Sequence, residues 1–331
     1  MALFWKGAAG WPIPSKNMDN LEKNQRKFSE LKFGTFIHFN SATIQFQVGN
    51  IVDWEFDCEN LGVKRAFPFA EEMWNPAELD CQQWAKTTKA AGCQFAALTA
   101  KHHEGFCLWP SAWTEHCVKR ATCKTDVVQA YLDAFRQEQI AAGLYFSILD
   151  LTAGIGKRSC TQTQKEMIKG QLTELLTGYG DIPFLFVDGW NAPWGGPSYE
   201  RLPFEEINQL VKSLQPNCLL INIGATRENQ ETDIPCFENA AGQELDTSGF
   251  GVSCNKLTET WFWRRNDARK APKSAEWAAE KIKPCCSINA NFMLNLSPNP
   301  QGKLEDNLIC TFQQIGEITS SIFSGGNHGK L

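Results

Sequence analysis

Short, almost continuous apolar runs alternate with longer segments of helical periodicity along most of the chain, and this alternation constrains the fold most strongly. A short apolar run bounded by turn residues is typical of a strand that is buried on both faces. Strands that alternate with helices pair in parallel, because each helix returns the chain to the same edge of the sheet. The pattern therefore predicts an α/β protein built on a parallel sheet.

About eight strands are predicted, and eight parallel strands favour a closed (β/α)8 barrel of the TIM type. The predicted strands are 33–39, 93–99, 144–149, 183–187, 218–222, 234–238, 258–263 and 291–296. The helical pattern fades between residues 224 and 263, so we expect the barrel to be irregular there. A length of 331 residues is compatible with one barrel, and we expect a single domain over 1–331 with a polar lead-in and a short flexible tail.

Charge and composition narrow the class of partner. The formal net charge is -5 and no Lys/Arg-rich run occurs, so we expect neither a nucleic acid nor a membrane as partner. The 12 Trp are compatible with sugar binding, because flat rings stack on the apolar faces of pyranoses, and equally with core packing. An oligomer is left open.

The cysteines and the N-terminus predict the compartment. The 13 Cys are scattered and form no CxxC pair, and the first residues lack the long apolar run of a signal peptide. We therefore expect reduced thiols in a cytoplasmic protein, and a secreted one if the start has been trimmed.

The segment LTAKHHEGFCLW, residues 98–109, begins as a buried strand and then turns abruptly polar. Functional sites of α/β enzymes lie where a buried parallel strand ends in ionisable groups. Two adjacent histidines alternate faces on a strand, but just past its end His102 and His103 can both face one cavity. A solvated loop is the alternative.

Polar and aromatic side chains follow several predicted strands, and a barrel would bring them together. They are His38, His102, His103, Asp188, Trp190, Asn222, Glu238 and Trp263. Two carboxylates on separate strands suit glycoside hydrolysis, in which one attacks the anomeric carbon or activates water and the other protonates the leaving oxygen. We predict Asp188 as the nucleophile and Glu238 as the acid/base, with Glu244 and Glu259 as alternatives. A turn or N-cap role for Asp188 and a solvated position for Glu238 stay open.

A metal site is the rival interpretation of the same residues. His38, His102 and His103 with Asp188 could ligate zinc in a barrel hydrolase. However, His-x-His is the spacing that points two imidazoles the same way from one strand, and here the pair is adjacent. We therefore expect no metal and no cofactor.

Several motifs in order resemble the α-L-fucosidase family of retaining glycoside hydrolases. LTAKHHEGFCLW resembles the family's His-His-Glu-Gly-Phe signature, and GTFIHFN at 34–40 resembles its first strand. LFVDGW at 185–190 is similar to its nucleophile strand, and NFMLNLSPNPQGKL at 291–304 to its last barrel strand and loop. WNPAELDCQQWAKTTKAAG at 74–92 matches the helix before the signature. The resemblance covers roughly 33–318.

The resemblance implies roles for individual residues. His38, His102 and His103 would hydrogen-bond sugar hydroxyls, and Asp188 would form a covalent fucosyl intermediate. The sequence departs from the family at Phe186, where members often have Trp, and at Tyr145-Phe146, where either ring could line the sugar. Many members add a C-terminal β-sandwich, which this sequence does not show.

The leading hypothesis is a retaining exo-α-L-fucosidase that removes terminal fucose from fucosylated glycans. An apolar wall formed by Trp54, Phe186 or Trp263 would meet the methyl group of the sugar, and Trp190 is a further candidate contact. The alternatives are a metal-dependent barrel hydrolase and a catalytically silent sugar-binding protein on the same scaffold.

Overall fold

The structure, a computed structural model, describes residues 15–47, 69–192, 195–225, 231–239, 244–245 and 249–324. Within these ranges eight strands form one sheet in the order β5-β4-β3-β2-β1-β8-β7-β6, and all paired strands are parallel. The strands are β1 (Phe33–Ile37), β2 (Phe95–Lys101), β3 (Ala141–Ser147), β4 (Phe184–Asp188), β5 (Leu219–Asn222), β6 (Cys236–Glu238), β7 (Gly251–Asn255) and β8 (Ala290–Leu296). The sheet curls into a nearly closed barrel, which confirms the predicted fold class.

The barrel has one unsealed seam, between β5 and β6. Over the described residues these strands share a single parallel bridge, Ile223–Cys236. Ahead of β6 the chain bonds to β5 partly through side chains: the Asp233 carboxylate accepts from the Leu220 N–H at 2.7 Å, and the Thr232 hydroxyl accepts from the Asn222 N–H at 3.0 Å. The irregularity predicted between 224 and 263 is confirmed at this seam, because side-chain oxygens replace backbone carbonyls there.

Helices surround the barrel, and their starts follow capping chemistry. The helices are α1 (Ser15–Ser29), α2 (Ser41–Gln47), α3 (Cys81–Ala90), α4 (Val127–Gln137), α5 (Gln162–Gly178), α6 (Phe204–Leu214), α7 (Ala275–Cys286) and α8 (Asp306–Ser324). Within the segment 74–92 the helix α3 begins only at Cys81, because the Asp80 carboxylate caps it by accepting from the Gln83 N–H. None of the helices in the described ranges has the length and apolarity needed to cross a membrane.

Aromatic side chains fill the barrel interior from its N-terminal end upward. Phe28 of α1 closes that end, with its ring centroid 5.1 Å from Phe95 and 5.0 Å from Phe184. Above this layer Phe186 lies 5.4 Å from Phe36, and both rings are buried. The packed interior therefore supports a site at the carboxyl ends of the strands, as barrel geometry requires.

Gly143 lies inside β3, one residue before the predicted start of that strand at 144. A Cβ at this position would lie 2.1 Å from the Phe184 ring and 2.6 Å from the Phe184 carbonyl oxygen. The absence of a side chain therefore lets β4 and the Phe184 ring approach β3. The strand β3 starts three residues earlier than predicted, at Ala141, because Ala141 already pairs with Phe95 of β2.

The strand predicted at 258–263 is wrong, and β7 lies at Gly251–Asn255 instead. The Thr-rich and aromatic composition of 258–263 resembles a strand, but its hydroxyls bond locally. Thr258 Oγ1 donates to the Thr260 carbonyl at 2.9 Å, and Thr260 Oγ1 donates to the Phe262 carbonyl at 2.8 Å. Such side-chain-to-backbone bonds stabilise turns in competition with a strand ladder.

Candidate active site

Asp188 ends β4 and turns its carboxylate into the mouth of the barrel. The Tyr145 hydroxyl donates to Asp188 Oδ2 at 2.8 Å, and the Gly189 N–H donates to Oδ1 at 2.6 Å. Gly189 has φ +64°, and a Cβ there would lie 2.6 Å from Leu149 Cβ, so glycine is required for the tight turn. The carboxylate is therefore held by one donor on each oxygen.

His103 lies beside this carboxylate. Its Nε2 is 3.6 Å from Asp188 Oδ2, and its Nδ1 is 2.7 Å from the Ser147 hydroxyl oxygen. Ser147 is the last residue of β3 and pairs with Asp188 across the β3–β4 ladder. The two strands thus fix the imidazole and the carboxylate relative to each other.

A cluster of rings surrounds the Asp188 carboxylate and the His103 imidazole at the barrel mouth. The His102 ring stacks on Tyr145 at 5.5 Å and meets Phe262 edge-on at 4.9 Å. The His38 ring stacks on Trp261 at 4.9 Å and lies 6.3 Å from His102. The prediction that the three histidines converge on one site is thus matched by the geometry.

Burial keeps these three imidazoles neutral near pH 7. Desolvation lowers the pKa of His38 to about 3, and only weaker hydrogen bonds to Phe36 and Asn295 oppose it. Burial also lowers the pKa of His102, and neighbouring His103 and His38 add to the effect. For His103 burial is again the largest cause of a lowered pKa, although the Asp188 charge opposes it. Neutral imidazoles each offer one donor and one acceptor nitrogen, which suits hydroxyl groups.

Glu238, the predicted acid/base, is half-buried at the end of β6 and pairs with Cys254 of β7. The pKa of the buried Cys254 thiol is raised first by its hydrogen bond with Cys236 and by burial, and further by the charges of Glu238 and Asp188. Glu238 and Asp188 end strands that lie on opposite sides of the seam, β6 and β4.

The alternative carboxylates lie elsewhere. Glu259 is exposed and forms an ion pair with Lys270 at 2.7 Å, and Glu244 is also exposed. Neither carboxylate ends a strand of the described sheet, whereas Glu238 does. The geometry thus favours Glu238 over both.

Two ionisable residues of the signature turn away from the mouth into buried ion pairs. Lys101 Nζ donates to Asp150 Oδ2 at 3.1 Å and to Gln171 Oε1 at 3.0 Å, and it lies over the Phe146 ring. Glu104 binds His116 Nε2 at 2.8 Å. The polar run after β2 therefore contributes its two histidines to the site, while Lys101 and Glu104 anchor the loop.

His116 is held between two carboxylates, with Glu104 on Nε2 and Glu71 on Nδ1. Burial lowers the pKa of His116, but the hydrogen bonds and charges of Glu104 and Glu71 outweigh burial, and the pKa is raised above its usual range. This imidazolium links the signature loop to the 3-10 turn Glu71–Met73.

Two predicted tryptophans are not brought to the ring cluster. Trp190 is buried against Tyr199 and Phe204, and its indole N–H donates to the Leu202 carbonyl at 2.9 Å. The Trp263 indole N–H donates to Glu305 Oε1 at 2.9 Å. Phe186 lies in the packed layer below Tyr145, and Trp54 falls outside the described residues.

Sequence reasoning missed three residues that the structure places at the site: Ser147, Trp261 and Phe262. Ser147 could have been found, since it lies two residues after Tyr145 on one face of β3. Trp261 and Phe262 could not, because the segment that carries them was predicted to be a strand. In the described ranges no group of three His, Cys, Asp or Glu side chains has an arrangement that could hold a metal ion.

Comparison with known proteins gives a consistent result. The family model described as Alpha-L-fucosidase matches residues 12–321. Alpha-L-fucosidase 1 of Arabidopsis thaliana is 28% identical over 318 residues, which cover 86% of this chain and 61% of the relative. Tissue alpha-L-fucosidase of Bos taurus is 30% identical over 307 residues, which cover 83% of this chain and 63% of the relative. The chain thus spans less than two thirds of the length of these curated relatives.

Solved structures match as well. Alpha-L-fucosidase isoenzyme 1 from Paenibacillus thiaminolyticus superposes with a TM-score of 0.76 at 25% identity, over 92% of this chain and 77% of that one. Unliganded alpha-L-fucosidase AlfC from Lactobacillus casei has a TM-score of 0.72 at 18% identity, over 91% of this chain and 99% of that one. The second likeness shows the shared fold.

Proposed function

Because the chain belongs to the alpha-L-fucosidase family, we propose that it is a retaining exo-α-L-fucosidase acting on terminal fucosyl groups of fucosylated glycans. The observation that carries the proposal is the setting of Asp188. Its carboxylate ends a barrel strand, is held by Tyr145 and Gly189, and faces His103 inside a mouth lined by rings. A carboxylate fixed in this way is arranged to attack an anomeric carbon from one direction.

In this mechanism Asp188 attacks the anomeric carbon and Glu238 protonates the departing oxygen. The covalent fucosyl intermediate is then hydrolysed by water, from which the Glu238 carboxylate removes a proton. The two displacements invert the anomeric carbon twice, so the product keeps the configuration of the substrate. Support for Glu238 comes from its place at the end of β6, a strand parallel to the rest of the sheet, which puts it at the same edge of the barrel as Asp188.

The ring cluster supports the choice of a neutral deoxy sugar. The neutral imidazoles of His38, His102 and His103 are suited to hydroxyl groups, which both donate and accept hydrogen bonds. Trp261 and Phe262 form an apolar wall next to these imidazoles, and we assign to it the contact with the sugar methyl group. Neither charge nor a metal is needed to bind such a substrate.

The test is turnover of an aryl α-L-fucoside, with the first product followed by NMR. We expect α-L-fucose as the first product, and Asp188→Gly is expected to lower kcat by roughly four orders of magnitude while the fold is kept. Asp181→Gly is the matched control, since Asp181 is exposed at the opposite end of the same strand and should leave kcat unchanged.

Three results would reject the proposal. A first product of β configuration excludes retention, and near-normal turnover by folded Asp188→Gly protein excludes the nucleophile. Activity that is lost on chelation and restored by zinc would favour the metal-dependent hydrolase. The cytoplasmic location and the reduced state of the cysteines stay predictions, which fractionation of cells and thiol titration would check.

A further inference from the structure

Ser147 has no predicted contact with the sugar itself, yet its hydroxyl has two short polar contacts, one of them with the predicted sugar-binding residue His103. Its hydroxyl oxygen is 2.6 Å from the Leu149 carbonyl oxygen and 2.7 Å from His103 Nδ1. Ser147 is fully buried at the end of β3, so water cannot substitute for either contact. These contacts decide which of the two ring nitrogens of His103 carries the hydrogen.

Two oxygen atoms 2.6 Å apart require a hydrogen between them. A backbone carbonyl has no hydrogen to give, so the Ser147 hydroxyl must donate to Leu149. That hydroxyl has only one hydrogen, and its oxygen can then only accept from His103. His103 Nδ1 is therefore the protonated ring nitrogen, and in the neutral ring Nε2 carries the lone pair.

The acceptor nitrogen points toward the reacting region. His103 Nε2 is 3.6 Å from Asp188 Oδ2, which is too long for a direct hydrogen bond. With the opposite tautomer, the positive end of the Nε2–H dipole would face the carboxylate at 3.6 Å and stabilise its charge, which would weaken Asp188 as a nucleophile. The Ser147 contact disfavours this Nε2–H tautomer, because the Ser147 oxygen needs a hydrogen on Nδ1.

We propose that Ser147 is a positioning residue that fixes His103 as the Nδ1–H tautomer, so that Nε2 accepts a hydrogen bond from the hydroxyl on C2 of the sugar. The choice of hydroxyl follows from geometry: Asp188 must reach the anomeric carbon, and the only neighbouring ring position with a proton to donate is C2. The ring oxygen, on the other side of the anomeric carbon, has none. Bonds to the 2-hydroxyl strengthen in the transition state of retaining glycosidases. The assignment of C2 depends on the proposed fucosidase activity, whereas the tautomer does not.

The first experiment is NMR of the wild-type chain labelled with 15N-histidine, at pH 7 and without substrate. The signals of His103 are assigned by their loss in His103→Gln. We expect a protonated Nδ1 and an unprotonated Nε2. A protonated Nε2 with a bare Nδ1 would overturn the proposal, and this measurement requires neither turnover nor a variant of Ser147.

The second experiment compares Ser147→Ala, Ser147→Thr and the control Thr35→Val on an aryl α-L-fucoside and its 2-deoxy analogue. Thr35 is also a buried strand hydroxyl, but it contacts Thr88 outside the barrel. We expect Ser147→Ala to lower kcat on the fucoside about fiftyfold with KM within about twofold, because the lost bond acts mainly in the transition state. Ser147→Thr keeps the hydroxyl and should restore most of kcat, and Thr35→Val should match wild type.

The 2-deoxy substrate tests the partner of Nε2. Without a 2-hydroxyl, the loss caused by Ser147→Ala should shrink to about threefold or less. An undiminished loss on the 2-deoxy substrate, or a wild-type kcat for Ser147→Ala on the fucoside, would overturn the proposal. If the wild type turns over no fucoside at all, the proposed function fails, and the NMR measurement still decides the tautomer.

Discussion

His103 and His116 are separated by 13 positions in the chain, and both are buried, but their surroundings give them opposite charge states. His103 has one carboxylate at 3.6 Å, among aromatic rings and near Lys101, and burial dominates its lowered pKa. His116 has carboxylates on both ring nitrogens, and its pKa is raised. One carboxylate that is not hydrogen-bonded does not offset desolvation, whereas two hydrogen-bonded ones do. The barrel mouth thus holds neutral groups that suit hydroxyls, while the outer cluster holds charges that fix a loop.

The largest effect is expected from a carboxylate inside the mouth. Glu238→Ala should lower kcat on fucosylated oligosaccharides about a thousandfold, because a poor leaving group needs protonation. On a dinitrophenyl fucoside the first step should persist, and added azide should accelerate turnover and yield α-fucosyl azide, because azide displaces Asp188 with a second inversion. Glu259→Ala, which removes an exposed carboxylate, is the control and should resemble wild type. If Glu259→Ala shows the azide-dependent profile instead, the acid/base role moves to that residue.

Substitution of His103 should mainly lower activity, whereas substitution of His116 should mainly lower stability. His103→Ala is expected to lower kcat/KM about a hundredfold and to change the free energy of unfolding little. His116→Ala should lower the free energy of unfolding by about 3 kcal/mol, because it leaves Glu104 buried with an unpaired charge, and should leave kcat/KM of the folded protein within about threefold. Urea unfolding and steady-state kinetics measure both. Loss of kcat/KM in His116→Ala without loss of stability would contradict the structural role assigned to His116.

Tyr145 should have a smaller effect. Tyr145→Phe keeps the ring that stacks on His102 and removes only the hydrogen bond to Asp188 Oδ2. A hydrogen bond to a charged group contributes about 2 kcal/mol, so we expect kcat/KM to fall roughly thirtyfold. Tyr131→Phe removes another buried phenol, which bonds Ala96 and Gly143 carbonyls outside the site, and serves as the control. An equal loss of kcat/KM in both variants would show that the Tyr145 effect is not specific to Asp188.

The pH dependence of stability differs in sign between the two regions. Below pH 6.5 the unfolded chain binds protons at His38, His102 and His103 that the folded protein does not bind, so stability falls as pH drops. Above pH 6.5 folded His116 keeps a proton that the unfolded chain has lost, so stability falls as pH rises through its raised pKa. Each fully linked proton changes the free energy of unfolding by at most about 1.4 kcal/mol per pH unit.

Urea unfolding between pH 5 and pH 8 measures this dependence. Wild type should be most stable near pH 6.5, and His116→Gln should lose the decline above that pH while keeping the decline below it. A wild-type profile that rises steadily from pH 5 to pH 8 would show that His116 is neutral in the folded protein.

The apolar periodicity of the sequence was sufficient to predict the barrel and to place Asp188, His38, His102 and His103 at or just past the ends of its strands. Strand burial and the end of a strand are local properties, and a residue just past a buried parallel strand lies at the catalytic face in any closed barrel. The same reasoning placed Glu238 correctly at the end of β6, even though that strand is only three residues long. Local patterns failed where side chains bond to nearby backbone, as at Thr258 and Thr260.

What the sequence determined by itself was the alternation of strands and helices and most of the polar residues at the strand ends, because both follow from patterns a few residues long. Only the tertiary structure decided which polar residues meet. Lys101 and Glu104 leave the mouth because Asp150, 49 residues from Lys101, and His116, 12 residues from Glu104, offer them opposite charges in buried positions. Likewise Ser147 acts on His103 only because β2 and β3 are neighbours. Charge states and hydrogen-bond direction depend on burial and on long-range partners, and neither is encoded in the spacing of residues along one strand.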